Sequence, residues 1–219
     1  MTQKLKVAVI GLGNIGTAVA TNLVKGNRTV IVADKTLEKA NELSRKLGNL
    51  AQPAAIADAV KEAEIVVLAI WFDGIKEFFK TYAAELQGKI VVDPSNPIAP
   101  DENGGFKKII DKDQSAGQIL SALLPKNVKF AKALGTLGAA SLSNAAFQLP
   151  EKAVEFYATD DTSINDQIED LIRDNGFEPV RIGGLDKSIR IEVFGDLHEF
   201  GALGKPVTLS EMNQVVAAA

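Results

Sequence analysis

Three glycines with the spacing G-x-G-x-x-G lie near the start of the chain, between an apolar run at residues 7–10 and a segment of helical character that begins at Asn14. A tight strand-to-helix turn of this kind directs backbone N–H groups and a helix N-terminus at one point, which suits a pyrophosphate. Gly11 permits the turn, Gly13 lets phosphates approach, and Gly16 lets the helix pack closely on the sheet. The motif predicts dinucleotide binding, and a purely structural glycine turn is the alternative. We expect the whole turn to contact the cofactor: Gly11, Leu12, Gly13, Asn14, Ile15 and Gly16.

An acidic residue, Asp34, follows the second apolar run at residues 29–33. A carboxylate about 20 residues after the glycine turn suits the hydroxyls of a cofactor ribose. Two like charges about 4 Å apart repel by about 4 kcal/mol at an effective dielectric constant near 20, so Asp34 favours NAD(H) over the 2′-phosphate of NADP(H). The charge of Lys35 could offset part of this repulsion, and Thr36 could donate a hydrogen bond to the 2′-phosphate. The residues therefore leave both cofactors open.

Polar and aromatic side chains follow the later predicted strands, where they should line the same cleft. Trp71 and Phe72 could stack on a flat ring system or pack at the rim of the core. Ser95, Asn96 and Thr136 are short polar residues that could hold a carboxamide or a substrate carbonyl, although a plain turn also explains Ser95 and Asn96.

A single histidine, His198, is the only side chain that titrates near neutrality without perturbation. Direct hydride transfer between two stacked rings depends mainly on positioning and electrostatics, so it requires no dedicated acid. If a side chain assists, the catalytic candidates are Ser95, Asn96, Thr136 and His198. The alternative for His198 is a histidine on a helix surface or an interface.

Composition narrows the classes of function. The chain has 219 residues, a net charge of −4 and no cysteine. The acidic balance argues against nucleic-acid binding, and the lack of cysteine together with one histidine argues against a metal site. No apolar stretch approaches the length of a membrane span, and from the short stretch before the first strand we expect no signal peptide. We therefore expect a soluble, cytoplasmic protein.

Apolar patterning indicates strands and helices in alternation, which is typical of an α/β fold with a doubly wound, mostly parallel Rossmann sheet. A small helical appendage at the C-terminus completes the expected fold. We predict a Rossmann domain over residues 1–184 and the appendage over residues 185–219, both in one compact unit. The appendage should begin with a helix over residues 185–200, and residues 94–105 should form a loop. Phe194 and Phe200 could cover the cleft of their own chain or pack against a second subunit.

Five segments, taken in order and spacing, resemble the NADPH:coenzyme F420 oxidoreductase-like family. They read VAVIGLGNIGTAVA, EIVVLAIWFDGIKE, IVVDPSNP, SAGQILSALLPKNVKFAKALGT and GFEPVRIGGL. The resemblance implies a single Rossmann domain with a small C-terminal cap, often dimeric. It also implies hydride transfer between NADP(H) and a deazaflavin or another acceptor.

The resemblance assigns cofactor contacts to matching positions. Gly11, Asn14 and Ile15 would contact the pyrophosphate, and residues 34–36 the adenosine ribose. The remaining implied contacts are Ala69 and Ile70 at mid-cleft, and Ser95, Asn96 and Pro97 on the nicotinamide side. From its place after a predicted strand, we also expect Trp71 to contact the cofactor. The chain departs from the family pattern at two places, with Asp34-Lys35 in place of a small residue and arginine, and with Leu134-Gly135 in place of phenylalanine and asparagine.

The sequence thus predicts an NAD(P)-dependent oxidoreductase whose partner is a small-molecule electron acceptor, either flavin-like or deazaflavin-like, or a small carbonyl compound. The alternative is a non-catalytic NAD(P)-binding module that senses redox state or partners another protein. We expect neither nucleic-acid nor membrane partners, and we predict a homodimer.

Overall fold

A computed structural model of the chain describes residues 4–212, so the last seven residues of the predicted C-terminal appendage lie outside the described residues. The strands are β1 Val7–Ile10, β2 Val30–Ala33, β3 Ala51–Pro53, β4 Ile65–Leu68, β5 Ile90–Asp93, β6 Ile98–Pro100, β7 Phe106–Lys108, β8 Lys129–Lys132, β9 Val154–Ala158 and β10 Glu178–Gly183. The α-helices are α1 Asn14–Lys25, α2 Leu37–Leu47, α3 Ile56–Glu62, α4 Phe72–Thr81, α5 Ala116–Ser121, α6 Ala139–Asn144 and α7 Asn165–Asp174.

Eight strands form one sheet in the order β10-β9-β8-β5-β4-β1-β2-β3. The six strands from β8 to β3 in this order are parallel, whereas β9 meets β8 in antiparallel orientation through the pair Lys132–Ala158. The chain runs outward from β1 to β3 and then returns to β4 on the other side of β1. The carboxyl ends of β1 and β4 therefore flank the topological switch point, where ligands bind in such sheets. The predicted α/β fold with a doubly wound, mostly parallel sheet is confirmed.

The central strands are buried on both faces, which explains their continuous apolar runs. Every residue of β1, β2, β4 and β5 is buried. Side chains alternate between two clusters, so that Val9 packs with Leu23 of α1 on one face and Ile10 packs with Phe79 of α4 on the other. The helices on both faces fix the strand ends, and therefore the loops that follow them. Among residues 4–212, no helix is long and apolar enough to cross a membrane.

The prediction of a helix over residues 185–200 is wrong. Leu185–Ile191 forms a 3₁₀ helix, and turns and bends follow it as far as residue 203. An α-helix cannot continue here because Glu192 is extended and Phe194 has φ +73°. At Gly195, a Cβ atom would lie 2.4 Å from the carbonyl oxygen of Arg190, so the backbone packs too closely for most residues. The apolar spacing instead reflects side chains that line the cleft or enter the core.

Three short elements differ from the sequence-based prediction. Residues 94–105, predicted as a loop, contain β6, which forms a two-stranded antiparallel sheet with β7. Strand β3 and helix α6 were not predicted. These elements have three to six residues, which is too short for hydrophobic periodicity to distinguish them from loops.

Candidate functional site

The glycine turn joins β1 to α1 and leaves open space at one glycine. Gly11 has φ +89°, and a Cβ there would lie 2.5 Å from the carbonyl oxygen of Ala69. A Cβ on Gly16 would lie 1.8 Å from the carbonyl oxygen of Gly11, whereas a Cβ on Gly13 would meet no atom within 4 Å. Gly13 is also the N-cap of α1, and no side chain caps this helix end. The turn therefore combines uncapped amides, a positive helix end and empty space, which fit a dinucleotide pyrophosphate.

Asp34 lies beside this turn and is bound to it. The backbone N–H of Leu12 donates to Oδ2 of Asp34 at 2.7 Å, and Nζ of Lys39 lies 3.4 Å from the same oxygen. Burial acts to raise the pKa of Asp34, but the Leu12 hydrogen bond and Lys39 outweigh it and hold the pKa below its usual value. Asp34 is therefore an anion at the place predicted for the ribose, and Lys39 is a neighbour that the sequence did not single out.

A cleft of about 650 Å³ extends from the glycine turn across the carboxyl ends of the strands. Nine of the predicted site residues line it: Gly13, Asn14, Ile15, Ala69, Ile70, Trp71, Ser95, Asn96 and His198. Trp71 stands at its mouth and is 63% exposed, whereas Phe72 belongs to the core and is 1% exposed. Pro97 and Thr136 are not among the residues that line the cleft.

Asn96 connects three loops. Its Nδ2 donates to the carbonyl oxygen of Gly135 at 3.1 Å, and its Oδ1 accepts from the backbone N–H of Val193 at 2.7 Å. The loops after β5 and β8 approach closely, since a Cβ on Gly135 would lie 2.4 Å from the carbonyl oxygen of Pro94. The departure from the family pattern at residue 135 thus has a steric cause: this backbone contact has no room for an asparagine side chain.

His198 is buried, and both of its ring nitrogens have partners. Nδ1 accepts from the backbone N–H of Phe200 at 3.0 Å, so Nε2 carries the proton toward the carbonyl oxygen of Gly135 at 3.1 Å. Burial, assisted by nearby Lys132 and opposed by the Gly135 contact, lowers the pKa of His198 to about 4. The side chain is therefore neutral near pH 7, and neither nitrogen is left to contact a substrate.

Thr136 is also engaged below the cleft. Its hydroxyl donates to the carboxyl group of Glu155 on β9, and both side chains are buried. Burial raises the pKa of Glu155 to about 8 despite this hydrogen bond, and the charge of Glu199 acts in the same direction. Thr136 therefore joins the loop after β8 to the sheet and does not present its hydroxyl to a ligand.

Ser95 differs from the other candidates because its hydroxyl is unused. The residue lines the cleft, is 8% exposed, and its Oγ has no hydrogen-bond partner within residues 4–212. Its backbone is held firmly: the N–H donates to Oδ1 of Asp93 at 2.7 Å, and Nζ of Lys132 donates to its carbonyl oxygen. Lys132 also pairs with Asp93 at 2.8 Å. A buried hydroxyl without a partner on a fixed backbone is a candidate contact for a ligand.

Aromatic and aliphatic side chains form the far end of the cleft. Phe194 and Phe200 both line it, in agreement with the interpretation that they cover their own cleft. Phe106, Ile98 and Val193 line it as well and were not predicted. No signal in the sequence identified Phe106 and Ile98, because their contribution depends on the β6–β7 pairing.

Comparisons with known proteins agree with this geometry. Residues 6–97 match the family described as NADP oxidoreductase coenzyme F420-dependent. An F420-dependent NADP reductase from Methanothermobacter marburgensis is 25% identical over 199 residues, which make up 86% of this chain and 88% of that protein. A protein of the same name from Methanocaldococcus jannaschii is 30% identical over 105 residues. That match covers 43% of this chain and spans about half, 47%, of the relative.

A solved structure extends the similarity to the whole fold. The crystal structure of hypothetical protein SMa0349 from Sinorhizobium meliloti has a TM-score of 0.79 at 25% identity. The aligned region covers 94% of this chain and 96% of that one. These comparisons confirm the resemblance to F420-dependent NADP reductases that the sequence motifs indicate.

Proposed function

We propose that this protein binds a nicotinamide dinucleotide along the carboxyl ends of its central strands and exchanges hydride with a small electron acceptor in the same cleft. The observation that carries this proposal is the open space at Gly13, which continues into an apolar cleft of about 650 Å³. Pockets that bind cofactors are mostly apolar and contain a few fixed polar groups, as here. The names of the two methanogen relatives support the same chemistry.

Each part of the site has one task in this proposal. The amides of the glycine turn bind the pyrophosphate, and residues 34–36 bind the adenosine ribose. Ala69 and Ile70 hold the middle of the cofactor against the sheet. Ser95 and Asn96 would hold the nicotinamide, and the Asn96 bridge to Gly135 and Val193 keeps the loops rigid.

When bound, the nicotinamide would supply a hydride, which carries two electrons and one proton. An acceptor that takes up this hydride and one further proton completes a two-electron reduction. The Ser95 hydroxyl can donate to the nicotinamide carboxamide or to an oxygen of the acceptor, because no other described group uses it. The aromatic side chains around it exclude water and hold flat rings in contact. Ser95 is thus the one catalytic candidate among the four whose side-chain polar group has no partner within the described residues.

Asp34 and the relatives favour different cofactors. The relatives are named NADP reductases, whereas an anionic Asp34 repels a 2′-phosphate. Lys39, which lies 3.4 Å from Asp34, offsets part of this repulsion. We propose that NADP(H) and NAD(H) both bind and that Asp34 sets the ratio of their affinities.

Turnover separates an enzyme from a non-catalytic binding module. Purified protein should oxidise NADPH or NADH under anaerobic conditions when it is given flavins, deazaflavins, quinones or small carbonyl compounds in turn. Saturable cofactor binding without oxidation by any of these acceptors would favour the non-catalytic module instead.

A homodimer remains part of the proposal, and the exposed aromatic residues near the cleft mouth support it. Phe194 is 53% exposed and Phe200 is 60% exposed, so a second chain could cover them. Light scattering should give a mass of two chains, and a mass of one chain would exclude the dimer.

A further inference from the structure

The acceptor end of the cleft has no charged lining. The residues that form it are Ile98, Phe106, Leu137, Val193, Phe194, His198 and Phe200, with Trp71 at the mouth. His198 is neutral because burial lowers its pKa to about 4. Within the described chain, this end of the cleft therefore offers flat apolar surface and no ion-pair partner for an anionic group.

Two lysines of β7 follow Phe106 directly in the sequence, but neither places its ammonium group in the cleft. Successive side chains of a strand point to opposite faces, so Lys107 points away from the face on which Phe106 lines the cleft. Lys108 shares the face of Phe106, but its Nζ donates to the carbonyl oxygens of Lys112 at 3.0 Å and Gln114 at 2.7 Å. Neither ammonium group is placed to bind a ligand in the cleft.

Two other cations near the mouth are paired with carboxylates. Lys76 lies beside the Trp71 loop and contacts Asp73 at 2.9 Å. Arg190, which precedes the Val193–Phe194 segment, forms a bidentate salt bridge with Asp196. Its guanidinium nitrogens lie 2.6 to 3.1 Å from the carboxylate oxygens. Their charges are therefore neutralised locally.

The opposite end of the site carries Lys25, which has no carboxylate partner among the described residues, and Lys39, which pairs with Asp34 at 3.4 Å. A second groove shares Gly13 and Asn14 with the cleft, and it is lined by Lys25 and Lys39. Cations thus accompany the predicted phosphate region, whereas the acceptor end is neutral. The end near the glycine turn is therefore suited to phosphate groups, and the aromatic end is suited to uncharged planar rings.

We propose that the acceptor is recognised as an uncharged planar ring, sandwiched by the aromatic side chains, and that the site makes no use of an anionic tail. The proposal deepens the proposed function and rests on it. An anionic group drawn into this end would lose hydration without gaining a partner, which is strongly unfavourable. Any such group must remain in solvent, so it contributes no affinity.

Riboflavin and FMN provide the matched test, because they share one ring system and differ by a single phosphate group. Trp71 is the only tryptophan of the chain, so quenching of its fluorescence reports binding at the cleft mouth. With NADP⁺ present at saturation, the dissociation constant of FMN should be equal to or larger than that of riboflavin. Binding of FMN at least tenfold tighter than riboflavin would overturn the proposal, and so would failure of both flavins to bind.

Two substitutions test whether the flavin ring binds against Phe106. Phe106→Ala should weaken riboflavin binding by about two- to tenfold, which is the range expected for the loss of an aromatic contact. Leu123→Ala is the control, since Leu123 is 50% exposed, like Phe106 at 53%, but does not line the cleft. Equal effects of both variants, or none, would contradict the assignment.

A separate titration distinguishes the two proposals. Calorimetry with NADP⁺ alone tests the dinucleotide site without any acceptor. If NADP⁺ binds and FMN is preferred, only the neutral-ring proposal fails. If NADP⁺ and NAD⁺ both fail to bind, the proposed function fails as well.

Discussion

At the scale of single residues, hydrogen-bond partners separate structural from functional side chains. Asn96, Thr136 and His198 are all polar and near the cleft, but other parts of the chain use their polar atoms. Ser95 alone among these candidates keeps a buried hydroxyl without a described partner. A group left unpaired in this way does not stabilise the free protein, so a ligand contact is the better explanation for it.

Replacing Ser95 should therefore affect chemistry more than stability. Ser95→Ala should leave the free energy of unfolding unchanged within about 0.5 kcal/mol and lower kcat. Ser188→Ala is the matched control, because the buried Ser188 hydroxyl bonds to Ser115 and to the carbonyl oxygen of Leu185. Loss of the Ser188 hydroxyl should lower the free energy of unfolding by about 1 kcal/mol. Urea unfolding and steady-state kinetics measure the two effects; equal destabilisation by both variants with unchanged kcat would assign Ser95 a structural role.

Asp34 supports a second residue-level prediction, on cofactor preference. Asp34→Asn removes the negative charge but keeps an oxygen that can accept from the Leu12 N–H. The ratio of NADP⁺ to NAD⁺ affinity should rise at least tenfold, which corresponds to about 1.4 kcal/mol. Calorimetric titration of both cofactors gives the ratio, and Glu38→Gln, at an exposed position in α2, controls for a general change of charge. An unchanged ratio in Asp34→Asn would show that Asp34 does not contact the ribose region.

The sequence was enough to identify some of these site residues, but not the hydrogen-bond partners of others. The glycine turn and Asp34 were recognisable because their spacing along the chain reflects local geometry. The partners of His198 and Asn96 were not, because they come from loops that are distant in sequence. Asn96 and Gly135 are 39 residues apart, and His198 and Gly135 are 63 apart.

At the scale of elements, the loops after β5 and β8 act as one unit. The close approach at Gly135 and the Asn96 bridge join them on the cleft side. The Thr136 hydroxyl joins the second loop to Glu155 on β9. The central buried strands were predicted well because continuous apolar runs identify them, whereas β3, α6 and the 3₁₀ segment at Leu185–Ile191 depend on tertiary contacts.

Glu155 makes the stability of this unit depend on pH. Burial raises its pKa from 4.5 to about 8, so the folded state holds a proton that the unfolded state releases. The resulting stabilisation is fully present below pH 4.5 and is lost as the pH rises through 8. His198 acts in the opposite sense, since its pKa falls from 6.5 to about 4 and its contribution is lost only as the pH falls below 6.5.

The window between pH 6.5 and 8 therefore isolates Glu155 from His198. Stability should fall across it by up to about 1.4 kcal/mol per pH unit in the wild type. Glu155→Gln should reduce this slope, as measured by urea unfolding at several pH values. Glu77→Gln, at an exposed position on α4, should leave the slope unchanged. A slope that persists in Glu155→Gln would mean that another group binds the proton.

At the scale of the whole molecule, the sheet order brings the separate features to one edge. β1 and β4 flank the switch point, and the loops after β1, β4, β5 and β8 meet above it. This order yields a polar end near the glycine turn, where Lys25 and Lys39 line a groove, and a neutral aromatic end near Phe106 and Phe200. Alternation of strands and helices was enough to predict the sheet, but the aromatic end required the three-dimensional arrangement of the C-terminal turns.

Gly13 is where the whole account can be tested most directly. Gly13→Ala introduces a methyl group where no protein atom lies within 4 Å, and Gly13 has φ −70°, which alanine adopts readily. The variant should therefore fold as stably as the wild type, but the methyl group would occupy the space proposed for the pyrophosphate. Gly74→Ala in α4 is the control, since its Cβ meets only Ile70 at an ordinary 3.7 Å.

Calorimetric titration of NADPH and NADH into wild type, Gly13→Ala and Gly74→Ala is the deciding measurement. We expect saturable binding by the wild type and by Gly74→Ala, and at least tenfold weaker binding by Gly13→Ala with an unchanged Tm. Absence of binding by the wild type, or equal affinities of wild type and Gly13→Ala, would contradict a dinucleotide site at the β1–α1 turn.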